Sequence, residues 1–314
     1  MLNRRHIRIK VMQTLYAFNG GEGDNFKVEE KFLMNSLDSM YDLYLLLLSL
    51  FIEIHKKAED RLDKSQKKHL ATAEDKNPNR KFVNNQLLLD IRSNEPLSNE
   101  IESKKLNYWD LDFEYVDILF KAITESEVYS DYMSERESTF EEDKHFLIDI
   151  FKEVIAPHEK LYEYFEDKKL TWLDDLPIVN TSILKLFRKL KPNPPAYYFL
   201  PKLYKDIEDK DFASELFSKT ILNQTKFDEE IAAKTTNWDT ERIANLDAVM
   251  LRMALCEFQK FPSIPVKVTI NEYLEIAKEY STPKSSIFIN GVLDKTVKEY
   301  KEKGNLNKIG RGLM

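Results

Sequence analysis

Apolar residues recur at three- and four-residue spacing along almost the whole chain, and runs that alternate apolar with polar are hard to find. The spacing predicts helices over 4–19, about 26–69, 84–92, 112–133, 140–167 with Pro157 as a kink or break, 178–190, 196–208, 210–234, 240–260, 266–280 and 284–302. The expected fold class is all-α. The most hydrophobic run, LYLLLLSLFIEI at 43–54, follows Asp42 and contains Glu53. At 1.5 Å per residue it spans roughly 18 Å, short of the ~30 Å of a bilayer core, so it reads as a buried helix. The polar stretches ATAEDKNPNRK at 71–81 and NEPLSNEIESKK at 94–105 are the expected loops.

Glycine is scarce. Gly20, Gly21 and Gly23 form the loop NGGEGD, and no glycine follows until Gly291. A Gly-rich phosphate cradle or dinucleotide fingerprint is therefore absent, because such loops need positive φ and close backbone approach. Sliding the chain by 66 positions lays EDKHFLIDIFKEVIAPHEKLYEYFEDKKLTW (142–172) over EDKDFASELFSKTILNQTKFDEEIAAKTTNW (208–238), with ten of thirty-one positions identical. A duplication would make the middle of the chain a second helical unit, with Trp172 and Trp238 in equivalent places.

Composition and charge narrow the partners. The 314 residues are 42% hydrophobic and 32% charged, enough for one large or two ordinary globular domains. A net charge of −7 argues against indiscriminate coating of nucleic acid, so any such contact must be local. The lone cysteine, Cys256, excludes an internal disulfide, fits a reducing cytoplasm, and sits at helical spacing among apolar neighbours like a core thiol. The basic N-terminus lacks the continuous apolar stretch of a secretory signal.

The opening MLNRRHIRIKVMQTLYAF departs from the acidic balance. It holds Arg4, Arg5, Arg8 and Lys10, with His6 among them, and no carboxylate precedes Glu22. On a helical wheel Ile7, Val11, Leu15 and Phe18 share one stripe, while Arg5, Ile9, Met12 and Tyr16 lie opposite. A helix apolar on two sides is either sandwiched or presents a binding face. Cations at a helix N-terminus oppose the macrodipole, so the charge gains nothing locally. Such an arm suits single-stranded RNA, since arginine offers bidentate phosphate contacts and planar stacking. Three or four neutralised phosphates give a salt slope of roughly −2 to −3.

The C-terminal third, with LDAVMLRMALCEF, FPSIPVKVTINEYLEIAK and above all FINGVLDK at 288–295, resembles the NusB family of small helical transcription antitermination factors. RRHIRIKVMQTLYAF resembles that family's arginine-rich first helix, and FASELFSKTILNQTKFDEEI its long central helix. The resemblance covers about 120 residues at the two ends. It implies a NusB-like bundle of two packed helical subdomains, non-enzymatic and without cofactor or metal, that binds boxA-type RNA together with the ribosomal small-subunit protein NusE in the transcription elongation complex on rRNA operons. Carried over by position, Arg4, Arg5, His6, Arg8, Lys10, Lys284, Phe288 and Asn290 are the expected RNA contacts, and Tyr16 and Asp247 the expected partner contacts. Gly291 reads as permitting close helix packing.

The implied organisation is a first helix at 1–23, an inserted helical region at 24–204 with a possible duplicated unit at 140–190, the rest of the NusB-like domain at 205–303, and a flexible tail at 304–314. The five histidines are scattered, and no nucleophile or metal constellation appears. The competing expectation is a helical interaction scaffold whose RNA site is vestigial.

Overall fold

The structure is a computed structural model that describes residues 1–21, 25–67, 72–235 and 244–313; these form helices joined by turns, with no strand among them. The helices are α1 (Arg4–Gly20), α2 (Phe26–Gln66), α3 (Ala73–Lys76), α4 (Gln86–Arg92), α5 (Glu95–Ser103), α6 (Phe113–Thr124), α7 (Glu127–Met133) and α8 (Phe140–Ile150). A π-helical turn, Phe151–Ile155, leads to α9 (Glu159–Lys168), α10 (Leu176–Lys189), α11 (Ile207–Leu222), α12 (Gln224–Lys234), α13 (Asn245–Lys260), α14 (Val266–Tyr280) and α15 (Ser285–Glu302).

The chain divides into two compact units. One comprises Met1 and Asp38–Leu203, the other Leu2–Leu37 and Tyr204–Met314. The start of α2 thus belongs with α1 and the C-terminal helices. Phe26 stacks on Phe217 with ring centroids 5.5 Å apart, and the Ser214 hydroxyl donates to Glu30 at 2.5 Å.

In the unit formed by the two ends of the chain, α13 is central. It packs against α1, α11, α12, α14 and α15 and buries residues on every side, from Val249 to Phe258, as a helix surrounded by others must. Cys256 is fully buried, and burial pushes its thiol up to about 12, which leaves it inert as a nucleophile. α1 is sandwiched: Ile7, Val11 and Leu15 are buried, and so are Ile9 and Met12 on the other side. Within 304–314, expected from the sequence as a flexible tail, the Ile309 amide donates to the Pro262 carbonyl in the α13–α14 turn at 3.1 Å. Gly312 fits only as glycine, because a Cβ there would stand 1.9 Å from that carbonyl oxygen.

In the extra unit the run at 43–54 is buried along nearly its whole length, as its composition requires. The Trp109 indole donates to the Leu46 carbonyl and the Trp172 indole to the Ser39 carbonyl, at 3.1 and 2.8 Å. Buried His55 donates from Nε2 to the Val83 carbonyl and accepts at Nδ1 from Arg92, which fixes the neutral tautomer. Burial holds its pKa below the usual value.

Six local expectations change. The expected helix at 210–234 is two, α11 and α12, which meet at Asn223, and the expected loop at 71–81 contains the short α3. Residues 94–105, expected as a loop, contain α5, because Asn94 caps the Leu97 amide, Pro96 pre-sets the first turn and Leu97 is buried. The expected helix at 112–133 is two, since the Ser126 hydroxyl accepts from the Tyr129 amide and starts α7. At 140–167 the break comes after a π-turn in which the Ala156 amide reaches back to the Phe151 carbonyl, just before Pro157. The segment 196–208 is irregular until α11 begins at Ile207. Under the 66-residue shift, α8, the π-turn and α9 overlie α11 and α12; Trp238 lies outside the described residues.

Candidate nucleic-acid interface

The tertiary structure supplies the carboxylates that the opening stretch lacks. Arg4 donates from Nε to Asp209 at 2.9 Å, has Glu208 at 3.7 Å, and lies over the Phe212 ring. Arg5 makes a bidentate pair with Glu272, at 2.9 and 3.0 Å, and that bond raises its pKa. Arg8 is only 2% exposed and makes a second bidentate pair with Glu257, at 2.6 and 2.9 Å. Glu257, itself fully buried, also accepts from the Thr269 and Tyr273 hydroxyls at 2.9 and 2.8 Å. Burial alone would lower the Arg8 pKa; the charge and hydrogen bonds of Glu257 override it and raise the value.

Arg4, Arg5 and Arg8 line one groove of about 1080 Å³ together with Lys205, Asp209 and Glu272. Arg5 is the most open of the three, with 43% of its side chain exposed, and Arg4 follows at 37%. Tyr16, 49% exposed, lines a separate groove of about 470 Å³ with Met12, Gln13, Leu246 and Tyr280. Along α1 it stands roughly 18 Å from Arg4, at 1.5 Å per residue.

The remaining candidates divide by burial. His6, Lys10 and Phe288, like Arg8, are buried, whereas the family resemblance, carried over by position, made them expected RNA contacts. The reason is the sandwiching of α1, which turns both of its sides inward, and the packing of α15. Lys284 is exposed just before α15, and the half-buried Asn290 amide points to Asp294 at 3.4 Å. Asp247 is buried and accepts from the Ser281 hydroxyl at 2.6 Å, which ties α13 to the α14–α15 turn. Among the described residues no group of His, Cys, Asp and Glu is placed to hold a metal ion, and no helix is long and apolar enough to cross a membrane.

Two features escaped the sequence reading. Ile287 is 71% exposed, one helical turn from Lys284 and one from Gly291 on α15. Gly291 does not serve close packing, since a Cβ there meets nothing within 4 Å. A mid-helix glycine costs about 1 kcal/mol relative to alanine. Gly291→Ala should therefore raise stability by up to about 1 kcal/mol in thermal or urea unfolding, and a loss would show that the position carries an undetected strain. The second missed feature is Lys205, the end of a carboxylate-free run in the sequence.

Comparison with known proteins agrees with this architecture. The NusB family profile matches residues 200–298, from just before α11 into α15. The chain is 45% identical over 112 residues to the transcription antitermination protein NusB of Salinibacter ruber (strain DSM 13855 / M31), covering 36% of this chain and 70% of that protein. It is 43% identical over 128 residues to NusB of Chloroherpeton thalassium (strain ATCC 35110 / GB-78), covering 40% of this chain and 61% of that one. For NusB of Geotalea uraniireducens (strain Rf4) the identity is 42% over 83 residues, or 26% of this chain and 57% of that protein. No solved structure matches the chain. With a central α13, the FINGVLDK helix and this degree of identity, the chain belongs to the NusB family.

Proposed function

We propose that this protein is a non-enzymatic transcription antitermination factor that holds boxA-type single-stranded RNA together with NusE and supports elongation on rRNA operons. The observation that carries the reading is the pair Arg4 and Arg5, whose partly exposed side chains line one groove. Asp209 and Glu272 are the shielded sides of these pairs, at 7% and 20% exposure, so a phosphate adds to the open side of each guanidinium while the carboxylate keeps its bond. Arg8 acts from below by fixing α1 through Glu257 rather than by touching RNA. Tyr16 and the stripe Lys284, Ile287 and Gly291 offer the surface for NusE.

The test is binding of labelled boxA-like RNA, with and without NusE, to the wild type and to an Arg4→Ala/Arg5→Ala variant. The variant should lose RNA affinity and make the salt slope shallower by roughly 1 to 1.5, at ~0.7 per phosphate, while NusE binding is kept. Absence of RNA binding by the wild type at low salt, with or without NusE, would sink the reading.

One observation favours a second reading, an interaction scaffold with a vestigial RNA site. Arg4, Arg5 and Arg8 each have a carboxylate partner in their own unit, so none presents an uncompensated charge. NusE binding without any RNA binding would establish it.

A further inference from the structure

A second run without any carboxylate extends from Leu176 to Lys205 and carries Lys185, Arg188, Lys189, Lys191, Lys202 and Lys205. The four cations between 185 and 191 are exposed, and, unlike those of α1, they have no hydrogen bond or ion pair to a carboxylate among the described residues. Lys185, Arg188 and Lys189 stand three and four positions apart on α10, where like charges repel. Arg188 and Lys189 lie in the last turn, where the helix dipole favours cations. Lys185 is one turn further in and Lys191 beyond the helix end, so the dipole accounts for only two of the four.

The loop after α10 is pinned in place. The Tyr198 hydroxyl donates to the Leu186 carbonyl at 2.7 Å, the Asn94 amide to Ala196 at 2.9 Å, and the Tyr44 hydroxyl to Phe199 at 2.9 Å. Pro192, Pro194 and Pro195 restrict it further. On this loop Tyr197 is 73% exposed. Uncompensated cations at the end of α10 and an open aromatic ring on the pre-organised loop that follows suit a phosphate backbone with unpaired bases. The adjoining cavity of about 560 Å³ adds Lys81 and Arg136 next to Asn193, but Glu137 and Asp143 as well, so the cationic surface stops there. The last cation of the same run, Lys205, lines the groove that holds Arg4 and Arg5.

We propose that α10 and the loop after it form a second contact surface for single-stranded RNA, with Lys185, Arg188, Lys189 and Lys191 on phosphates and Tyr197 stacked on a base. It rests on the reading that this chain holds RNA, and it gives the extra unit a share of that grip.

The test titrates salt against binding of a labelled single-stranded RNA of about twenty nucleotides, longer than one typical site. The full-length wild type is compared with the Lys185→Gln/Arg188→Gln/Lys189→Gln/Lys191→Gln variant, with Tyr197→Leu and with Arg4→Ala/Arg5→Ala. The quadruple variant should keep wild-type helicity and melting, bind more weakly, and show a slope shallower by about 2 to 3, at ~0.7 per phosphate. Tyr197→Leu should lose affinity with little change in slope. If the wild type binds and the quadruple variant matches it in slope and affinity, the α10 surface is overturned and the Arg4/Arg5 reading stands. If the quadruple variant loses binding and the Arg4/Arg5 variant does not, the α10 surface stands and the groove reading falls. A wild type that binds no RNA overturns both.

Discussion

Replacing Glu257 by glutamine should destabilise the protein by about 3–5 kcal/mol, the cost of leaving a buried charge without its partner. Arg8 and Glu257 are both almost completely out of water. Each guanidinium bond in the pair goes to a separate carboxylate oxygen, and the Thr269 and Tyr273 hydroxyls occupy the remaining acceptor positions. Glutamine keeps the shape but replaces one of those acceptors with a donor, so Arg8 loses its bidentate counter-ion and keeps only the more distant Glu272, 3.8 Å away. Removing Arg8 instead strands the carboxylate, with a cost of the same order. Replacing both together, Arg8→Met with Glu257→Leu, should lie closer to wild type than either single change, because desolvation of both charges is then avoided. Urea unfolding followed by amide-exchange protection in α13 checks this series. Equal losses in the double variant and the singles would mean that the pair contributes by packing alone.

The second large effect falls in the extra unit. Phe51→Ala should cost about 3–5 kcal/mol there, the range for emptying a buried aromatic site. Phe51 is 1% exposed and packs against Phe151 at 5.8 Å and edge-on against Phe187 at 5.4 Å; the latter two rings meet at 6.3 Å. The three rings come from α2, the π-turn and α10, so the cavity opens where three elements meet and cannot be closed by one of them shifting. Phe51→Leu keeps most of the volume and should cost less than half as much. Amide exchange in α2 and α10 locates the loss. Protection left at wild-type values would show that the site collapses without penalty.

How far the sequence carried differs from feature to feature. Helix class was legible because it depends on local periodicity, and the run at 43–54 declared its burial by being apolar on every side. The start of α5 was legible in principle, in Asn94 followed by Pro96, but its polar composition concealed it. The pairing of the arginine helix was not legible at all. Its carboxylates lie 205, 249 and 267 positions away, at Asp209, Glu257 and Glu272, and only the assembled fold brings them to α1. The same gap bears on His6, Lys10 and Phe288: a resemblance carries residues over by position in the chain and does not show how many sides of their helices are covered. The open space over Gly291 is likewise a tertiary fact, since glycine in a helix looks the same in sequence whether it admits a neighbour or faces nothing.

The two contacts that join the start of α2 to α11 run in opposite directions. Phe26 meets Phe217 and Glu30 meets Ser214, so four steps forward in one helix are three steps back in the other. Apart from Met1, the extra unit is one uninterrupted stretch of chain, Asp38–Leu203, entered once and left once. Heredity can add or remove such a cassette in one recombination event without rethreading the host helices, and its own sequence is then free to diverge at a different pace from theirs.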